Sequence, residues 1–230
     1  MKILLISGHG AGDPGAIGTF QGKQYKEADL TREVTAAVAK ALKPYADVTI
    51  YDTDRNAYTD YKNGGLTSRA KFQTFDYVLE VHFNAFQADT GDGKNKGSEI
   101  FVMPSRSDVA VEQKIVDAIA KVGFTNRGVK KQSFGVISTA SRAGVRASLL
   151  EVCFIDDADD MKIYTAKTSQ IISAIKDGLV LGLGLKAAAK PASSNRDAVK
   201  KRFGFDDNTM AFLDKHPYPD ALYLKLATKG

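Results

Sequence analysis

The chain has 230 residues, of which 43% are hydrophobic and 26% are charged, and its formal net charge at pH 7 is +5. These proportions are typical of globular proteins and exclude a disordered or fibrous chain. The length fits one sizeable domain, or one domain with a small appendage.

The first residues predict a strand rather than a targeting segment. The apolar run in residues 1–7 is far too short to span a membrane and leads directly into a glycine-rich loop. It lacks the long apolar stretch and the small-residue cleavage site of a signal peptide. The single cysteine, Cys153, cannot form an internal disulfide, so folding requires no oxidising compartment. We therefore expect synthesis in the cytoplasm and no membrane partner.

Short apolar runs alternate along the chain with longer amphipathic stretches. The runs predict strands, and the stretches carry apolar residues at helical spacing. This alternation is typical of an α/β fold with a largely parallel, covered sheet. The predicted strands are residues 2–7, 47–51, 77–82, 98–103 and 147–154, and the predicted helices are residues 27–42, 66–72, 108–122 and 165–183.

The composition changes after Leu185. Residues 186–195 are mostly small or polar and include one proline, which indicates a linker. The main domain is therefore predicted at residues 1–185, and residues 196–230 predict two short helices with apolar faces. A segment this short is marginally stable alone, so we expect it to dock or to self-associate as a homo-oligomer.

The positive charge favours a polyanionic partner, either a nucleic acid or the anionic polymers of a Gram-positive cell wall. Aromatic residues are not interleaved with Arg and Lys in the manner that stacks single-stranded bases, and no helix-turn-helix or zinc-finger spacing is present. We therefore expect no nucleic-acid partner.

A glycine-rich loop follows the first predicted strand and contains His9. Its small residues leave the imidazole open to a metal or substrate, although a hydrogen-bonded loop histidine is the plainer interpretation. Residues 10–15 also match the spacing of a dinucleotide-binding loop. We reject that interpretation because Asp13 would place a carboxylate beside the phosphates and Pro14 lacks the N–H that would bind them.

Glu27 opens the first long predicted helix, and His82 ends the clearest predicted strand. An acidic residue in a first helical turn also suits the helix dipole. A histidine at the carboxyl end of a buried strand stands where α/β enzymes hold catalytic groups, with a core histidine bonded to backbone as an equal alternative. Glu80 shares the strand face of His82 and could orient its ring.

Glu151 lies inside an apolar strand, where burial costs free energy and raises a carboxyl pKa towards the range of proton transfer. A structural salt bridge is the alternative. Strand alternation places Cys153 on the same face, either as a nucleophile or, as we prefer, as a small apolar residue. The third histidine, His216, lies beyond the linker and is expected at the surface.

Together, His9, Glu27 and His82 offer three ligands for tetrahedral zinc with the fourth position open, and Glu151 is a separate buried base. The set is sufficient for metal-assisted hydrolysis. Because the ligands are scattered along the chain, their spacing alone does not identify the metal.

The loop at residues 8–16 is followed in order by five further segments that carry a family resemblance: Glu27, Arg69 within residues 66–70, and residues 82–85, 126–130 and 150–155. In this combination, residues 1–185 resemble the zinc-dependent N-acetylmuramoyl-L-alanine amidases of the type 3 family, found in phage endolysins and bacterial autolysins. The resemblance implies a single mixed sheet flanked by helices. It also implies one zinc ion per chain, bound by His9, Glu27 and His82, with Glu151 as the catalytic glutamate.

The activity implied by the resemblance is hydrolysis of the amide bond between N-acetylmuramic acid and L-alanine of peptidoglycan by zinc-activated water. Arg127 or Lys130 could assist the oxyanion or bind substrate, or could equally be surface residues. Two features depart from the family pattern: residues 79–81, before the second histidine, lack the serine that many relatives have there, and Cys153 stands where glycine or another small residue is common.

Two other functions are compatible with the pattern: a non-catalytic peptidoglycan-binding protein and a zinc carboxypeptidase that acts on wall peptides. The intact set of three ligands and one base argues against a mere binding protein. We expect a phage endolysin that reaches the wall after release from the cytoplasm. Its C-terminal segment could hold it on anionic wall polymers through Lys200, Lys201 and Arg202.

Overall fold

The computed structural model describes residues 1–187, 194–216 and 219–228. The chain divides into two compact units, Met1–Lys186 and Ala187–Gly230. Residues 188–193, the centre of the predicted linker, lie outside the described residues. Among the described residues, no helix is long and apolar enough to cross a membrane.

A six-stranded sheet forms the centre of the first unit, with the strand order β4-β1-β5-β8-β6-β7. All neighbouring strands are parallel except β6 and β8, which are antiparallel. The predicted mixed, largely parallel sheet is therefore confirmed. The strands are β1 (Lys2–Ser7), β2 (Ile17–Phe20), β3 (Lys23–Lys26), β4 (Asp47–Ile50), β5 (Tyr77–Asn84), β6 (Ser98–Val102), β7 (Asn126–Lys131) and β8 (Arg146–Phe154), of which β2 and β3 form a separate hairpin.

Helices cover both faces of this sheet. In β1, Ile3 and Leu5 pack into one apolar cluster with helices α1, α4 and α6, whereas Leu4 and Ile6 pack into a second cluster with α2, α3 and α5. Strands that are buried on both faces are apolar almost throughout, which is why they were recognisable as short apolar runs. These helices are α1 (Glu27–Leu42), α2 (Ala57–Lys62), α3 (Leu66–Ala70), α4 (Ala110–Ala120), α5 (Gly135–Arg142) and α6 (Ala158–Gly182).

The sequence missed five elements of the first unit: β2, β3, β7, α2 and α5. β7 has the sequence NRGVKK and lies at the edge of the sheet, so it lacks an apolar run. α6 begins at Ala158, well before the predicted residue 165, with the Asp157 carboxylate accepting from the N–H of Asp160 at 2.8 Å. Its backbone departs from helical geometry at Lys167, close to the predicted start.

The second unit consists, within its described residues, of three short helices rather than the two expected: α7 (Ser194–Phe203), α8 (Asp207–Leu213) and α9 (Pro219–Thr228). Val199, Met210 and Tyr223 form its small buried core. The Tyr223 hydroxyl donates a hydrogen bond to Asp214 at 2.8 Å, and Arg196 forms an ion pair with the same carboxylate at 3.1 Å. Polar contacts thus supplement a core that is too small to stabilise the helices by apolar burial alone.

Candidate active site

Three side chains predicted from the sequence as metal ligands meet beside the carboxyl ends of the central strands β1 and β5. One donor atom from each of His9, Glu27 and His82 lies within 4.8 Å of the other two. The Glu27 carboxylate stands between the rings, with Oε2 3.0 Å from His9 Nε2 and Oε1 2.9 Å from His82 Nδ1. The fold therefore gathers residues that are up to 73 positions apart in the chain into a single cluster.

His9 follows β1 in a left-handed backbone conformation, with φ of 62°. Such a conformation is uncommon for a residue with a side chain and is kept only where the surroundings fix it. Asp13 fixes the ring, since its Oδ2 lies 2.8 Å from His9 Nδ1. Asp13 is itself held by the Asn56 amide at 3.0 Å and by the N–H of Gly15 at 3.0 Å.

Glu27 is the first residue of α1, where the helix dipole favours a negative charge. The backbone N–H of Ala16 donates to one carboxylate oxygen at 2.9 Å, and that of Phe83 donates to the other at 3.0 Å. Burial alone would raise the pKa of Glu27, but the hydrogen bonds from His82 and His9 outweigh it and lower the pKa far below its usual range. Glu27 is therefore an anion held in place before any ion binds.

His82 lies near the carboxyl end of β5, and its Nε2 is 3.2 Å from Oε1 of Glu80. The interpretation that Glu80 could orient this ring agrees with the geometry. Burial lowers the pKa of His82, but hydrogen bonds to Glu27 and Glu80 outweigh it and raise the pKa well above the ordinary value. Each histidine thus has one nitrogen facing Glu27 and the other facing a second carboxylate, an arrangement that fixes metal-binding imidazoles.

Two glycines leave the space that the cluster occupies. A Cβ atom at Gly8 would lie 2.3 Å from Cε1 of His82, and one at Gly15 would lie 2.7 Å from Oε2 of Glu27. Any larger residue at either position would displace a donor group. The glycine-rich sequence of the loop is therefore explained by close approach to the cluster rather than by phosphate binding.

Glu151 lies in β8, directly beside His82 of β5 and directly opposite Glu99 of β6. Burial raises the pKa of Glu151 to about 7; the nearby His82 opposes this shift, and the carboxylates of Glu27, Glu99 and Glu80 add to it. Its Oε2 is buried and has no hydrogen-bond partner among the described residues. A carboxyl group with a pKa near neutrality suits a general base.

Cys153 does not share the face of Glu151, and the expectation from strand alternation is wrong. The pairing of β5 with β8 shifts between His82 and Asn84, so alternation is interrupted just after Glu151. Cys153 is fully buried in the same apolar cluster as its neighbour Val152. Burial raises the pKa of this thiol well above its ordinary value. Since the thiolate is the nucleophilic form, a thiol mechanism has no support.

The donor set fits a zinc ion. Two imidazole nitrogens and one carboxylate are typical of catalytic zinc sites, which keep the fourth position open for water or substrate. In the described parts of the chain, His9, Glu27 and His82 form the one group of this kind. His216 is exposed in the second unit and is not part of it.

Comparison with known proteins assigns the chain to a family. A family model described as N-acetylmuramoyl-L-alanine amidase matches residues 3–180. The chain belongs to this family, Amidase_3. Its members generally depend on zinc, in agreement with the donor set above. The match covers the sheet, its flanking helices and all four predicted site residues.

Among sequence relatives, the amidase LytC of Bacillus subtilis (strain 168) is 29% identical over 185 residues, which is 77% of this chain and 34% of LytC. A probable autolysin PH of Staphylococcus aureus (strain NCTC 8325 / PS 47) is 26% identical over 94% of this chain and 47% of its own. An uncharacterised protein of Clostridium perfringens is 27% identical over 98% of this chain and 65% of its own. The present chain thus spans about one third to two thirds of the length of these relatives.

Among solved structures, the catalytic domain of the amidase CwlV from Bacillus (Paenibacillus) polymyxa var. colistinus superposes with a TM-score of 0.64 at 24% identity, covering 81% of this chain and all of that domain. The catalytic domain of the CD27L endolysin, which targets Clostridia difficile, has a TM-score of 0.62 at 22% identity, covering 79% and 97%. At these identities the likeness establishes the fold of the first unit.

Sequence analysis missed the residues that surround the ligands. Asp13 stands four positions after His9, and this proximity in sequence is a signal that could have identified it as a partner of the histidine. Asn56 carried no signal, because an isolated polar residue in a loop has many ordinary explanations. Glu99 carried the same signal as Glu151, a carboxylate in an apolar strand, and could have been found by the same argument.

Proposed function

We propose that this chain is a zinc-dependent peptidoglycan amidase that cleaves the amide bond between N-acetylmuramic acid and L-alanine of the stem peptide. The observation that carries the proposal is the juxtaposition of His9, Glu27 and His82 with Glu151 on the neighbouring strand. Family membership supports the same bond and the same metal. A non-catalytic binding protein would have no need of a buried base next to a metal site.

In this proposal, His9, Glu27 and His82 hold one zinc ion. A zinc ion there would polarise the substrate carbonyl and lower the pKa of a water molecule. Glu151 would accept a proton from the attacking water and then return it to the leaving nitrogen of L-alanine, as a group with a pKa near 7 can do in both directions. Asp13 and Glu80 would fix the orientation of the two imidazole rings.

The test is mass spectrometry of the soluble products released from purified peptidoglycan, with and without a chelator. We expect stem peptides with a free N-terminal L-alanine, absent after chelation and restored by added zinc. Trimmed stems that remain attached to the sugar would identify a carboxypeptidase instead. The E151Q variant serves as the control, and an absence of products even from the wild-type protein would favour a binding protein.

We also propose that residues 1–185 are the catalytic domain, that residues 186–195 are a linker, and that residues 196–230 attach the enzyme to anionic wall polymers or mediate oligomerisation. Support comes from the separate compactness of the two units and from the basic last turn of α7, formed by Lys200, Lys201 and Arg202. A chain shortened to end at Leu185 should keep its activity on soluble muropeptides but lose sedimentation with walls. Unchanged sedimentation would contradict the attachment role.

The proposed setting is that of a phage endolysin, made in the cytoplasm and acting on the wall after release. The family relatives include a probable autolysin, and the fold is shared with an endolysin catalytic domain, so the two roles must be separated experimentally. Expression in a bacterium of known wall type should lyse cells only after the membrane is permeabilised. Lysis without permeabilisation would instead indicate export, as for an autolysin.

A further inference from the structure

A β-bulge in β7 lies beside the proposed active site. The register between β6 and β7 advances by one residue between Ser98 and Ile100. Two residues of β7, Arg127 and Gly128, therefore face the single residue Glu99. Gly128 has a φ of 79°, which favours glycine. Bulges redirect side chains and are common next to functional sites.

The bulge brings two cations to one buried carboxylate. In a regular strand, Arg127 and Lys130 would point to opposite faces because they are three residues apart. Here Nε of Arg127 donates to Oε2 of Glu99 at 2.6 Å, and the Lys130 ammonium group contacts the same oxygen. The Asn84 amide donates to the other oxygen at 2.8 Å. We call Glu99, Arg127 and Lys130 the basic cluster.

The basic cluster adjoins Glu151. Because β6 runs antiparallel to β8, the first residues of β6 lie beside the last residues of β8. Glu99 therefore pairs directly with Glu151. Directly opposed residues share a face of the sheet, with Cβ atoms about 5 Å apart. The two cations therefore lie next to the residue proposed to transfer the proton to the leaving peptide.

The cluster keeps an accessible positive charge. The Glu99 side chain is only 4% exposed, whereas those of Arg127 and Lys130 are 35% and 40% exposed. One carboxylate balances only one of the two cations. Arg127 is further fixed by its position over the Phe154 ring, 4.9 Å from the centroid. A positioned guanidinium and an ammonium group together form a favourable site for a carboxylate.

We propose that Arg127 and Lys130 bind a free carboxylate of the leaving peptide, namely the α-carboxylate of the second stem residue. This inference rests on the proposed amidase function and adds a substrate preference to it. One extended residue spans about 3.3–3.6 Å, so the second stem residue lies within about 7 Å of the scissile nitrogen. The basic cluster is one strand away from Glu151, because Glu99, which both cations contact, pairs with Glu151. Amidation of that carboxylate removes the charge and should weaken binding.

The experiment compares two soluble muropeptides with D-glutamate as the second residue, identical except that its α-carboxyl is free or amidated. For the wild-type enzyme we expect kcat/KM to be about tenfold higher with the free carboxylate, as for a hydrogen bond between charged groups. R127Q and K130Q should each reduce this ratio severalfold while retaining hydrolysis of the amidated peptide. K131Q is the matched control, since it removes the same charge from the adjacent residue on the other face of β7.

Equal kcat/KM for the two peptides in the wild-type enzyme, or an unchanged ratio in both R127Q and K130Q, would overturn the proposed subsite and leave the amidase function intact. If neither peptide is hydrolysed, the amidase function itself fails. Calorimetric binding of the same peptides to E151Q then decides the subsite. Tighter binding of the free-carboxylate peptide, lost in E151Q/R127Q and E151Q/K130Q, supports it, and equal binding refutes it.

Discussion

Three carboxylates lie at one end of the central strands, two of them buried (Glu27 and Glu99) and one partly buried (Glu151), and their surroundings differ. Glu27 lies between two histidines, and Glu99 between an arginine and a lysine. For both, burial opposes ionisation but the cationic partners lower the pKa. Glu151 lies between these two regions, and burial raises its pKa to about 7. The fold thus provides two fixed anions and, between them, one carboxyl group that can exchange a proton near neutral pH.

The largest expected effects are those of substituting Glu151 and Glu27, and the two variants should differ in zinc content. E151Q should reduce kcat by about 10²–10⁴-fold, the usual contribution of a general acid–base group, while binding one zinc ion per chain. E27Q should lose both zinc and activity, since it removes a ligand. Zinc content by inductively coupled plasma mass spectrometry, together with activity on muropeptides, measures the difference. Loss of zinc from E151Q, or retention of full activity, would contradict the assigned roles.

The second prediction concerns stability in the absence of metal. A pKa of about 7 for Glu151, against the ordinary 4.5, stabilises the folded state fully below pH 4.5, and this stability is lost as pH rises through 7. Relative to wild type, E151Q should therefore gain up to about 3 kcal/mol in unfolding free energy between pH 4.5 and 8. Urea denaturation of the chelated proteins at several pH values measures this.

E99Q is the matched control for that series, since Glu99 is opposite Glu151 but its pKa is lowered. A lowered pKa contributes stability above the unfolded value that is lost as pH falls. Relative to wild type, E99Q should therefore become more destabilised as pH rises towards 4.5, and its difference from wild type should stay constant between pH 4.5 and 8, where that of E151Q changes. If the unfolding free energies of the two variants changed with pH in the same way, the neighbouring groups would not determine the difference in pKa between Glu151 and Glu99.

A smaller effect is expected from the group that orients His9. D13N keeps the shape of Asp13 but removes its charge, and such partners typically contribute about 10–100-fold to metal affinity. We expect zinc affinity to fall within that range, measured by competition with a chelating dye, without a change in fold by circular dichroism. Wild-type affinity in D13N would show that the 2.8 Å contact with His9 has no role in metal binding.

The sequence predicted the ligands better than their surroundings, for a physical reason. His82 and Glu151 lie in apolar strands, where a polar residue is out of place, whereas His9 in a glycine-rich loop and Glu27 at a helix start gain their assignment from the family resemblance. The bounds of α1 were predicted correctly because its apolar periodicity is strong. The pairing of Glu99 with Arg127 and Lys130 was not predictable, because it depends on a bulge in the polar edge strand β7. The predicted strand face of Cys153 was wrong for a similar reason, because the strand register shifts just after Glu151.

The most direct test of the central claim is a crystal structure of the zinc-loaded protein with diffraction measured above and below the zinc absorption edge. We predict one anomalous peak per chain, bonded to His9 Nε2, His82 Nδ1 and the Glu27 carboxylate, at about 2.0–2.2 Å from each donor, with Glu151 beside the ion but not bound to it. A peak at any other set of residues, or Glu151 as a ligand in place of Glu27, would contradict the account.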